Sequence, residues 1–290
     1  SAGVYFMAVP WRGRQLFGAK IIPNRGSWLE FETDIDGTIS VKIDRHRKVP
    51  VSDLIRIFAA HESSDLGARL PDGQRRAGSA HVVTTEEGIQ NYFKDVDVGP
   101  IKYIGATLKK DIAKNLDEAY LEIYRRLRPS EPATAQTAKS LVDGMFHRLD
   151  RYDLSLVGRF KMNQRLGLDS KKDKRLLDLE DLLGIVKEII RLNNTPEAEP
   201  DDIDHLGNRR LKTVGELLES RFRIGLTRLR RIIQDRMSTL DKETLVAAQL
   251  VNFRPVTAVV KEFFTSSQLS QFMDQVNPLA ELEHKRRLSA

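Results

Sequence analysis

The sequence predicts an α+β fold in which antiparallel strands near the N-terminus are followed by a mainly helical remainder. Residues 3–60 contain short β-compatible runs separated by turn residues, whereas apolar stripes with helical spacing dominate after residue 115. A chain of 290 residues is long enough for two moderate domains that each bury a core. We therefore expect two units.

The strands of the predicted sheet lie in the first 50 residues. Residues 16–22, 28–33 and 38–43 are β-compatible, and turn residues at 23–26 and 34–37 separate them. An antiparallel meander is the simplest arrangement, because short turns join antiparallel neighbours.

Helices are predicted from residue 51 onwards. Val51, Leu54, Ile55 and Phe58 have helical spacing, and Pro50 stands just before them, where a missing amide proton is harmless. Further apolar stripes predict helices at 116–127, 135–146, 177–192 and 213–237.

Two segments interrupt this pattern. Residues 61–100 are Gly-rich and charged, and we interpret them as a variable insertion of loops and short elements. Residues 193–200 are polar and contain two prolines, so they are the predicted domain boundary.

Composition narrows the classes of function. The formal net charge of +6 favours a polyanionic partner, although 41 acidic residues are interleaved with the 47 basic ones. The absence of cysteine excludes disulfides, thiolate zinc sites and a cysteine nucleophile, and it fits a cytoplasmic location. No apolar run approaches the roughly 20 residues of a membrane span, so we expect no membrane partner.

One short motif points to hydrolysis. Asp34-Ile-Asp-Gly-Thr38 matches the signature of haloacid-dehalogenase-type phosphatases, in which the first aspartate attacks phosphorus. That chemistry requires a buried parallel strand before the aspartate, whereas residues 28–33 alternate between apolar and acidic side chains. A hairpin turn is favoured, and the phosphatase remains a distant alternative.

No other catalytic pattern is visible. The six histidines lack metal-ligand spacing, and the sequence contains no phosphate-binding loop of the Walker type. We therefore predict no catalytic residue and no metal site in this chain.

Three features favour nucleic acid. Trp28 follows Arg25 at a predicted turn, where an exposed indole can stack on an unpaired base, although a buried core tryptophan is the alternative. The cluster Arg45-His-Arg-Lys48 is either a phosphate clamp or a solvated surface. Residues 261–289 alternate apolar anchors with amide, hydroxyl and guanidinium groups that suit a nucleic-acid backbone.

Residues 261–289 resemble the fork and rifamycin-pocket segment of bacterial RNA polymerase β subunits. The resemblance continues upstream through Asp204-His-Leu-Gly-Asn-Arg-Arg210, Phe253-Arg-Pro-Val256, Arg151-Tyr-Asp-Leu154, residues 124–132 and Arg25-Gly-Ser-Trp-Leu-Glu-Phe31. It implies a β lobe at 1–203 with an insertion at 61–100, the C-terminal part of the protrusion at 204–264 and the fork segment at 265–290. The chain, which lacks an initiating Met, is expected to be a fragment of a larger subunit.

The predicted DNA-binding residues are Trp28, Arg45, Arg47, Arg159, Asp204 and Arg209. The resemblance implies that Trp28 stacks on a base of the non-template strand and that Asp204 and Arg209 read a guanine. An aspartate can accept hydrogen bonds from the amine and imine edge of guanine, so a guanine is a chemically reasonable ligand for Asp204 beside an arginine.

The resemblance also implies a rifamycin pocket along the path of the nascent transcript. The matching residues are Gln268, Leu269, Ser270, Gln271, Phe272, Asp274, His284, Arg287 and Ser289. Thr265, Val276 and Glu283 depart from residues common in the family, and Glu283 adds a charge beside His284. Rifamycin sensitivity is therefore left open.

The function implied is that of part of the β subunit of a bacterial DNA-dependent RNA polymerase, forming a wall of the DNA cleft and of the transcript channel. The implied partners are the non-template strand and downstream duplex DNA, nascent RNA, the β′, α and σ subunits, transcription factors and rifamycins. The family's catalytic magnesium is bound by another subunit, so we expect no cofactor and no polymerisation by this chain alone. The alternative is a docking module for transcription factors and neighbouring subunits.

Overall fold

A computed structural model describes residues 1–65, 82–169, 173–239 and 246–288. The chain divides into two compact units, Ser1–Arg209 and Arg210–Ala290. The division follows Arg209, whereas the sequence places the boundary at 193–200 and the end of the lobe at residue 203. No helix in these described ranges combines the length and the apolar character needed to cross a membrane.

The first unit begins with a five-stranded antiparallel sheet. Its strands are β1 (Gly3–Trp11), β2 (Arg14–Ile22), β3 (Leu29–Thr33), β4 (Ile39–Ile43) and β5 (Val49–Pro50). They follow one another in the order β1-β2-β3-β4-β5. The predicted meander is confirmed, and so is the α+β class, because helices make up most of the rest.

The hairpin of β1 and β2 extends beyond the rest of the sheet. The two strands pair along their whole length, from Gly3 with Ile22 to Trp11 with Arg14. Strand β3 pairs only with Ala19, Lys20 and Ile21 of β2. The outer part of the hairpin is therefore a two-stranded ribbon, and residues 11–14 at its end are called the ribbon tip.

Seven α-helices and one short 3-10 helix (Val82–Thr84) of the first unit are described. The α-helices are α1 (Val51–Asp65), α2 (Glu86–Phe93), α3 (Tyr103–Lys110), α4 (Leu116–Leu127), α5 (Ala135–Phe146), α6 (Ser155–Leu166) and α7 (Leu179–Asn193). The predicted helices at 51–60, 116–127, 135–146 and 177–192 are confirmed. Helices α3 and α6 were not predicted, and α2 lies in the segment interpreted as an insertion, of which residues 66–81 are outside the described residues.

Local capping explains why several helices begin where they do. The Asn115 side chain accepts a hydrogen bond from the Glu118 amide at the start of α4. Thr134 and Asp178 form capping boxes at the starts of α5 and α7. Each cap satisfies amide groups that a helix leaves unpaired at its N-terminus.

The sheet and the helices share one hydrophobic core. Phe6, Ile21, Leu29 and Ile39 of the sheet are fully buried, as are Leu54 of α1 and many residues of α4, α5 and α7. The core also contains charged groups, since Arg56 Nη1 lies 2.5 Å from Asp111 Oδ2 and Arg159 lies against Asp181. These pairs link helices to neighbouring segments inside the core.

The second unit is helical. Its described helices are α8 (Val214–Thr239), α9 (Ala247–Leu250), α10 (Arg254–Ser266) and α11 (Pro278–Arg286). Helices α8 and α10 pack closely at Gly225, where a Cβ atom would lie 3.1 Å from Val256 Cα. The predicted helix at 213–237 is confirmed as α8, but much of its apolar stripe stays exposed, including Phe222 and Leu226.

Candidate nucleic-acid interface

Trp28 directly precedes β3 and is held at that end of the sheet by hydrogen bonds of its own backbone. Its N–H donates to Asp44 Oδ1 at 2.7 Å, and its carbonyl oxygen accepts from the Asp44 N–H at 3.0 Å. The side chain is 36% exposed, so Trp28 is not a core tryptophan. Lys20 Nζ lies 4.9 Å from the indole centroid, and Glu30 pairs with Lys20 at 2.7 Å. The indole is therefore held in place with part of its surface open.

The loop before Trp28 is fastened to a second segment of the first unit. Arg25 and Asp153 exchange backbone hydrogen bonds of 3.0 and 2.8 Å. Gly26 has a φ of 116°, and a Cβ atom there would lie 2.7 Å from the ring of Tyr152, which is fully buried. Only glycine adopts this φ without strain and leaves room for the Tyr152 ring. The position of the loop therefore depends on Gly26.

The turn between β4 and β5 brings basic side chains to the end of α4. Asp44 and Arg45 both adopt left-handed backbone conformations, with φ of 48° and 64°. This turn and the C-terminal end of α4 border an open pocket of about 650 Å³, here called the arginine pocket. It is lined by Arg45, His46, Arg47, Glu122, Arg125, Arg126, Leu127 and Pro129.

The arginine pocket carries uncompensated positive charge. Arg126 pairs with Glu122 at 2.7 Å. For Arg45, Arg47 and Arg125, no ion pair with any carboxylate is found within the described parts of the chain. Guanidinium groups that converge without a partner suit phosphate oxygens. Since Arg45 follows Asp44 directly, the pocket adjoins Trp28.

Asp204 and Arg209 lie on one hydrogen-bonded loop at the end of the first unit. The loop is attached to β1 because Asp201 accepts a 2.8 Å hydrogen bond from the Phe6 amide. Within it, the Asp204 N–H donates to Asp202 Oδ1 at 2.9 Å and the Arg209 N–H donates to the Leu206 carbonyl at 3.3 Å. Both side chains are exposed, as binding to a base requires.

Comparisons with known proteins identify the family of the chain. The family described as RNA polymerase Rpb2, domain 2, matches residues 102–212. The whole chain is 46% identical to the DNA-directed RNA polymerase subunit beta of Chloroflexus aggregans. The chain belongs to the family of DNA-directed RNA polymerase β subunits. The β subunits of Syntrophomonas wolfei and Dehalococcoides mccartyi are also 46% identical to this chain over its full length. The chain spans 24% of the Chloroflexus relative, 24% of the Syntrophomonas relative and 21% of the Dehalococcoides relative.

One expected DNA contact in this β-subunit family member is corrected by the structure. Arg159 is completely buried. Its guanidinium donates to both carboxylate oxygens of Asp181, at 2.6 and 2.9 Å, and to the carbonyl oxygens of Lys174 and Leu176. These hydrogen bonds hold the Arg159 guanidinium inside the fold. Arg159 therefore links α6 to α7 and cannot reach DNA.

The motif that resembles a phosphatase forms a hairpin turn in this family member. The Asp34 N–H donates to the Thr38 carbonyl at 2.8 Å, and the Gly37 N–H donates to the Asp34 carbonyl at 2.9 Å. Asp34 pairs with Lys48 at 2.7 Å and Asp36 pairs with Lys110. The flanking strands β3 and β4 are antiparallel, so the parallel-strand geometry of the phosphatases is absent. In the described residues, no group of three potential ligands could hold a metal ion.

The residues matched to the rifamycin pocket lie in the second unit. Asp274 and His284 are brought together, since Asp274 Oδ2 lies 3.5 Å from His284 Nδ1. Gln271 donates to the Gln268 carbonyl at 3.0 Å and Ser270 to the Phe264 carbonyl at 2.8 Å. Leu269, Phe272 and Arg287 are exposed, with Phe272 fully so, and Ser289 lies outside the described residues.

The structure also adds residues to the candidate interface that the sequence did not single out. Asp44 positions Trp28, and Arg125 and Arg126 complete the arginine pocket. The two arginines occur in a motif that carries the family resemblance, but their position opposite Arg45 depends on the packing of α4 beside the β4–β5 turn. Asp44 was detectable in principle, because aspartate tolerates left-handed turns.

Proposed function

We propose that this chain forms part of a wall of the DNA cleft of a DNA-directed RNA polymerase, where Trp28 and the arginine pocket hold the non-template strand. The observation that carries this proposal is the 46% identity with polymerase β subunits along the entire chain. The geometry supports it, because the partly exposed Trp28 is hydrogen-bonded to Asp44, the residue before Arg45. In the described structure, Arg45, Arg47 and Arg125 have no carboxylate partner.

The proposed binding mode combines stacking on a base with contacts to phosphates. The Trp28 indole stacks on an unpaired base, and Arg45, Arg47 and Arg125 bind the phosphates beside it. Asp204 and Arg209 read a guanine further along the strand, and their exposed side chains on one ordered loop support this role. The duplex downstream of the opened strand is a further proposed partner of this unit.

The second unit is proposed to line the transcript channel. Residues 204–264 then correspond to part of the protrusion and 265–290 to the fork segment, after a lobe at 1–203. The exposed amide and hydroxyl groups of residues 268–272, together with Arg287, offer donors to RNA or to a rifamycin. The β′, α and σ subunits are the proposed protein partners.

No polymerisation is proposed for this chain alone. Phosphoryl transfer by polymerases uses metal ions to stabilise the attacking and leaving oxygens. We assign the catalytic magnesium to another subunit of the assembled enzyme. The chain then contributes binding and positioning of nucleic acid.

A docking role is the second candidate for the second unit. Among its described residues, Gly225, Val259 and Phe263 are buried, whereas Phe253, Phe272, Val276 and Leu279 are at least 71% exposed. Such exposure is typical of surfaces that neighbouring proteins cover. Analytical ultracentrifugation tests this role, since a chain that stays monomeric at high concentration and binds no added β′ subunit would contradict it.

The cleft-wall proposal is tested by tryptophan fluorescence. The chain has two tryptophans, so Trp11→Phe leaves Trp28 as the sole indole. Single-stranded oligonucleotides of 15 residues, with or without guanine, are titrated at two salt concentrations. We expect quenching that weakens with salt, and a guanine preference that disappears in Asp204→Asn and Arg209→Ala. Binding without quenching, or no binding at low salt, would overturn the proposal.

A further inference from the structure

The ribbon tip is a second surface with the chemistry of nucleic-acid binding. Arg12, Gly13 and Arg14 are exposed, and Trp11 is partly exposed. The Arg12 guanidinium lies 4.8 Å from the centroid of the Trp11 ring. The first 29 residues of the chain contain Arg12, Arg14, Lys20 and Arg25 but no Asp or Glu. The tip therefore combines an aromatic ring with positive charge that its own strands do not offset.

The ribbon tip lies at the opposite end of the sheet from the arginine pocket. Strand β2 runs from Arg14 at the tip to Ile22, and the connection after Ile22 leads to Trp28. Nine residues of strand extend roughly 25 to 30 Å. The tip is too far away to be an edge of the Trp28 site, so its chemistry requires a separate explanation.

The ribbon carries the tip away from the rest of the sheet. Strand β3 pairs no further along β2 than Ala19, whereas β1 and β2 remain paired as far as Trp11 and Arg14. The Phe17 carbonyl oxygen still accepts a hydrogen bond from Thr33 Oγ1 at 2.6 Å. Leu16 still borders a pocket with residues 33–36 and Lys110, whereas Arg12, Gly13, Arg14 and Gln15 are exposed. The exposed end of the hairpin is a two-stranded ribbon, a shape that can lie along a groove or a strand of nucleic acid.

The conformation of Arg12 indicates that its side chain has a role outside the turn. Arg12 and Gly13 have φ of 43° and 78°, as in a type I′ hairpin turn. Asn-Gly is the preferred pair for such a turn, because asparagine adopts positive φ more readily than arginine does. Apart from the contact of Arg12 with the Trp11 ring, the turn gives no reason for an arginine at this position. A long cation held in an unfavourable backbone conformation points to a ligand for that cation.

We propose that the ribbon tip binds single-stranded nucleic acid. Arg12 and Arg14 contact phosphates of the strand, and the open part of the Trp11 indole stacks on an unpaired base. The inference goes beyond the function proposed for Trp28, because it assigns a second strand contact at the other end of the sheet. Arginine stacked on an aromatic ring is already ordered, so less side-chain freedom is lost on binding.

The two sites can be observed separately. In Trp28→Phe the sole indole is Trp11, and in Trp11→Phe it is Trp28. The full chain carrying Trp28→Phe is titrated with a 15-residue oligothymidine. We expect quenching of Trp11 fluorescence and a dissociation constant that rises with salt, as phosphate contacts require. If Trp11 fluorescence is not quenched while Trp28 fluorescence in the Trp11→Phe chain is quenched as expected, this inference is overturned. The function proposed for Trp28 is then unaffected.

Two substitutions in the Trp28→Phe chain separate binding from folding. Arg12→Asn places the preferred residue in the turn, so we expect an unchanged or higher melting temperature together with at least a fivefold loss of oligothymidine affinity. Arg14→Gln, in an ordinary strand conformation, should produce a similar loss without unfolding. Unchanged affinity in both variants would overturn the proposal.

The identity of the ligand is tested by competing probes. An oligoglutamate of equal charge represents an acidic protein, and a 15-base-pair duplex represents paired DNA. The proposal predicts that neither quenches Trp11 at the concentration at which oligothymidine saturates it. Equal quenching by oligoglutamate would instead assign the tip to an acidic protein, and quenching by the duplex alone would overturn the stacking step.

Discussion

The backbone of Trp28 and the backbone and carboxylate of Asp44 are joined by reciprocal hydrogen bonds, 2.7 Å from the Trp28 amide to Asp44 Oδ1 and 3.0 Å from the Asp44 amide to the Trp28 carbonyl oxygen. This arrangement couples the aromatic element of the interface to its charged element, because the next residue after Asp44 is Arg45. A change at Asp44 should therefore affect both base stacking and phosphate binding.

We predict that Asp44→Ala weakens single-strand binding and lowers the free energy of unfolding by on the order of 1 kcal/mol, since the Trp28 amide loses its acceptor. Asp44→Asn is the matched control, because asparagine tolerates the left-handed conformation and keeps an acceptor oxygen. Urea denaturation and Trp28 fluorescence in the Trp11→Phe background measure the two effects. Equal behaviour of the two variants would contradict the role of the Asp44 side chain as a hydrogen-bond acceptor.

Arg45→Gln with Arg47→Gln should reduce the salt dependence of DNA binding. Each phosphate contact on a single strand contributes about 0.7 to the slope of log affinity against log salt, so we expect the slope to fall by about 1.4. Arg148→Gln is the control, because Arg148 already pairs with Asp150 at 2.8 Å. A slope that changes equally in the control would mean that net charge, and not the arginine pocket, governs binding.

Gly26→Ala should be strongly destabilising. The new methyl group would combine an unfavourable φ of 116° with an approach of 2.7 Å to the Tyr152 ring. We expect a loss of about 2 to 4 kcal/mol, from backbone strain of about 1 to 3 kcal/mol plus the overlap. Gly13→Ala isolates the backbone effect, since Gly13 also has positive φ but has no atom within 4 Å of the new Cβ. Thermal unfolding of both variants shows whether the contact with Tyr152 matters.

His147 should make the fold less stable in mild acid. Burial, with a smaller contribution from His61, lowers the pKa of His147 to about 3. The two imidazole rings stack with centroids 3.6 Å apart, and Asp143, Arg148 and Arg151 border the same cavity. Since the unfolded state takes up the proton first, stability should fall as pH decreases from about 6.5 towards 3, by up to about 1.4 kcal/mol per pH unit.

Melting temperatures between pH 7 and 5 test this prediction. His147→Phe removes the titrating group and should flatten the dependence on pH. The exposed His46 provides a control, because His46→Gln should leave the dependence unchanged. A steep loss of stability that persists in His147→Phe would place its origin in another group.

Asp53 should oppose folding at alkaline pH. Burial, followed by the charge of Asp111, raises the pKa of Asp53 to about 8 despite the nearby Arg56. The unfolded state loses this proton near pH 4 and the folded state only near pH 8, so the contribution of Asp53 to stability decreases as pH rises between these values. Asp53→Asn should therefore raise the melting temperature more at pH 8 than at pH 5.

Asp111→Asn is the informative comparison for Asp53. Asp111 accepts hydrogen bonds from Arg56 at 2.5 Å and from Ser52 at 2.6 Å, and its loss would leave the buried guanidinium poorly compensated. We expect it to destabilise the fold by about 3 to 5 kcal/mol. If Asp53→Asn were equally destabilising, Asp53 would be ionised and paired in the folded state.

The strongly periodic elements of the fold were predictable. Helices α4 and α5 have regular apolar stripes, and each follows a residue whose side chain caps it, Asn115 and Thr134 respectively. Helix α6 was missed because Leu156 and Phe160 are exposed, so its apolar residues do not mark a buried face. The spacing of apolar residues predicts a helix only when those residues form its buried face. The prediction fails where apolar side chains stay at the surface.

The candidate site was predictable only in part. Trp28 and Arg45 were singled out separately, and the pairing of Leu29 with Ile43 is what makes them neighbours. Arg159 was assigned to DNA, because a sequence does not reveal that its partner Asp181, 22 residues further along, is buried beside it. Contacts between distant segments decide which arginines remain available to a ligand.

The β1–β2 hairpin separates two aromatic residues by a length of strand that can change without rebuilding the domain. Adding two residues to each strand would move the turn outwards by roughly 7 Å while leaving the pairing of β2 with β3 intact. Because side chains alternate between faces, only even additions keep Trp11 on its present face. The length of the hairpin thus sets the distance between Trp28 and the strand contact proposed for the ribbon tip.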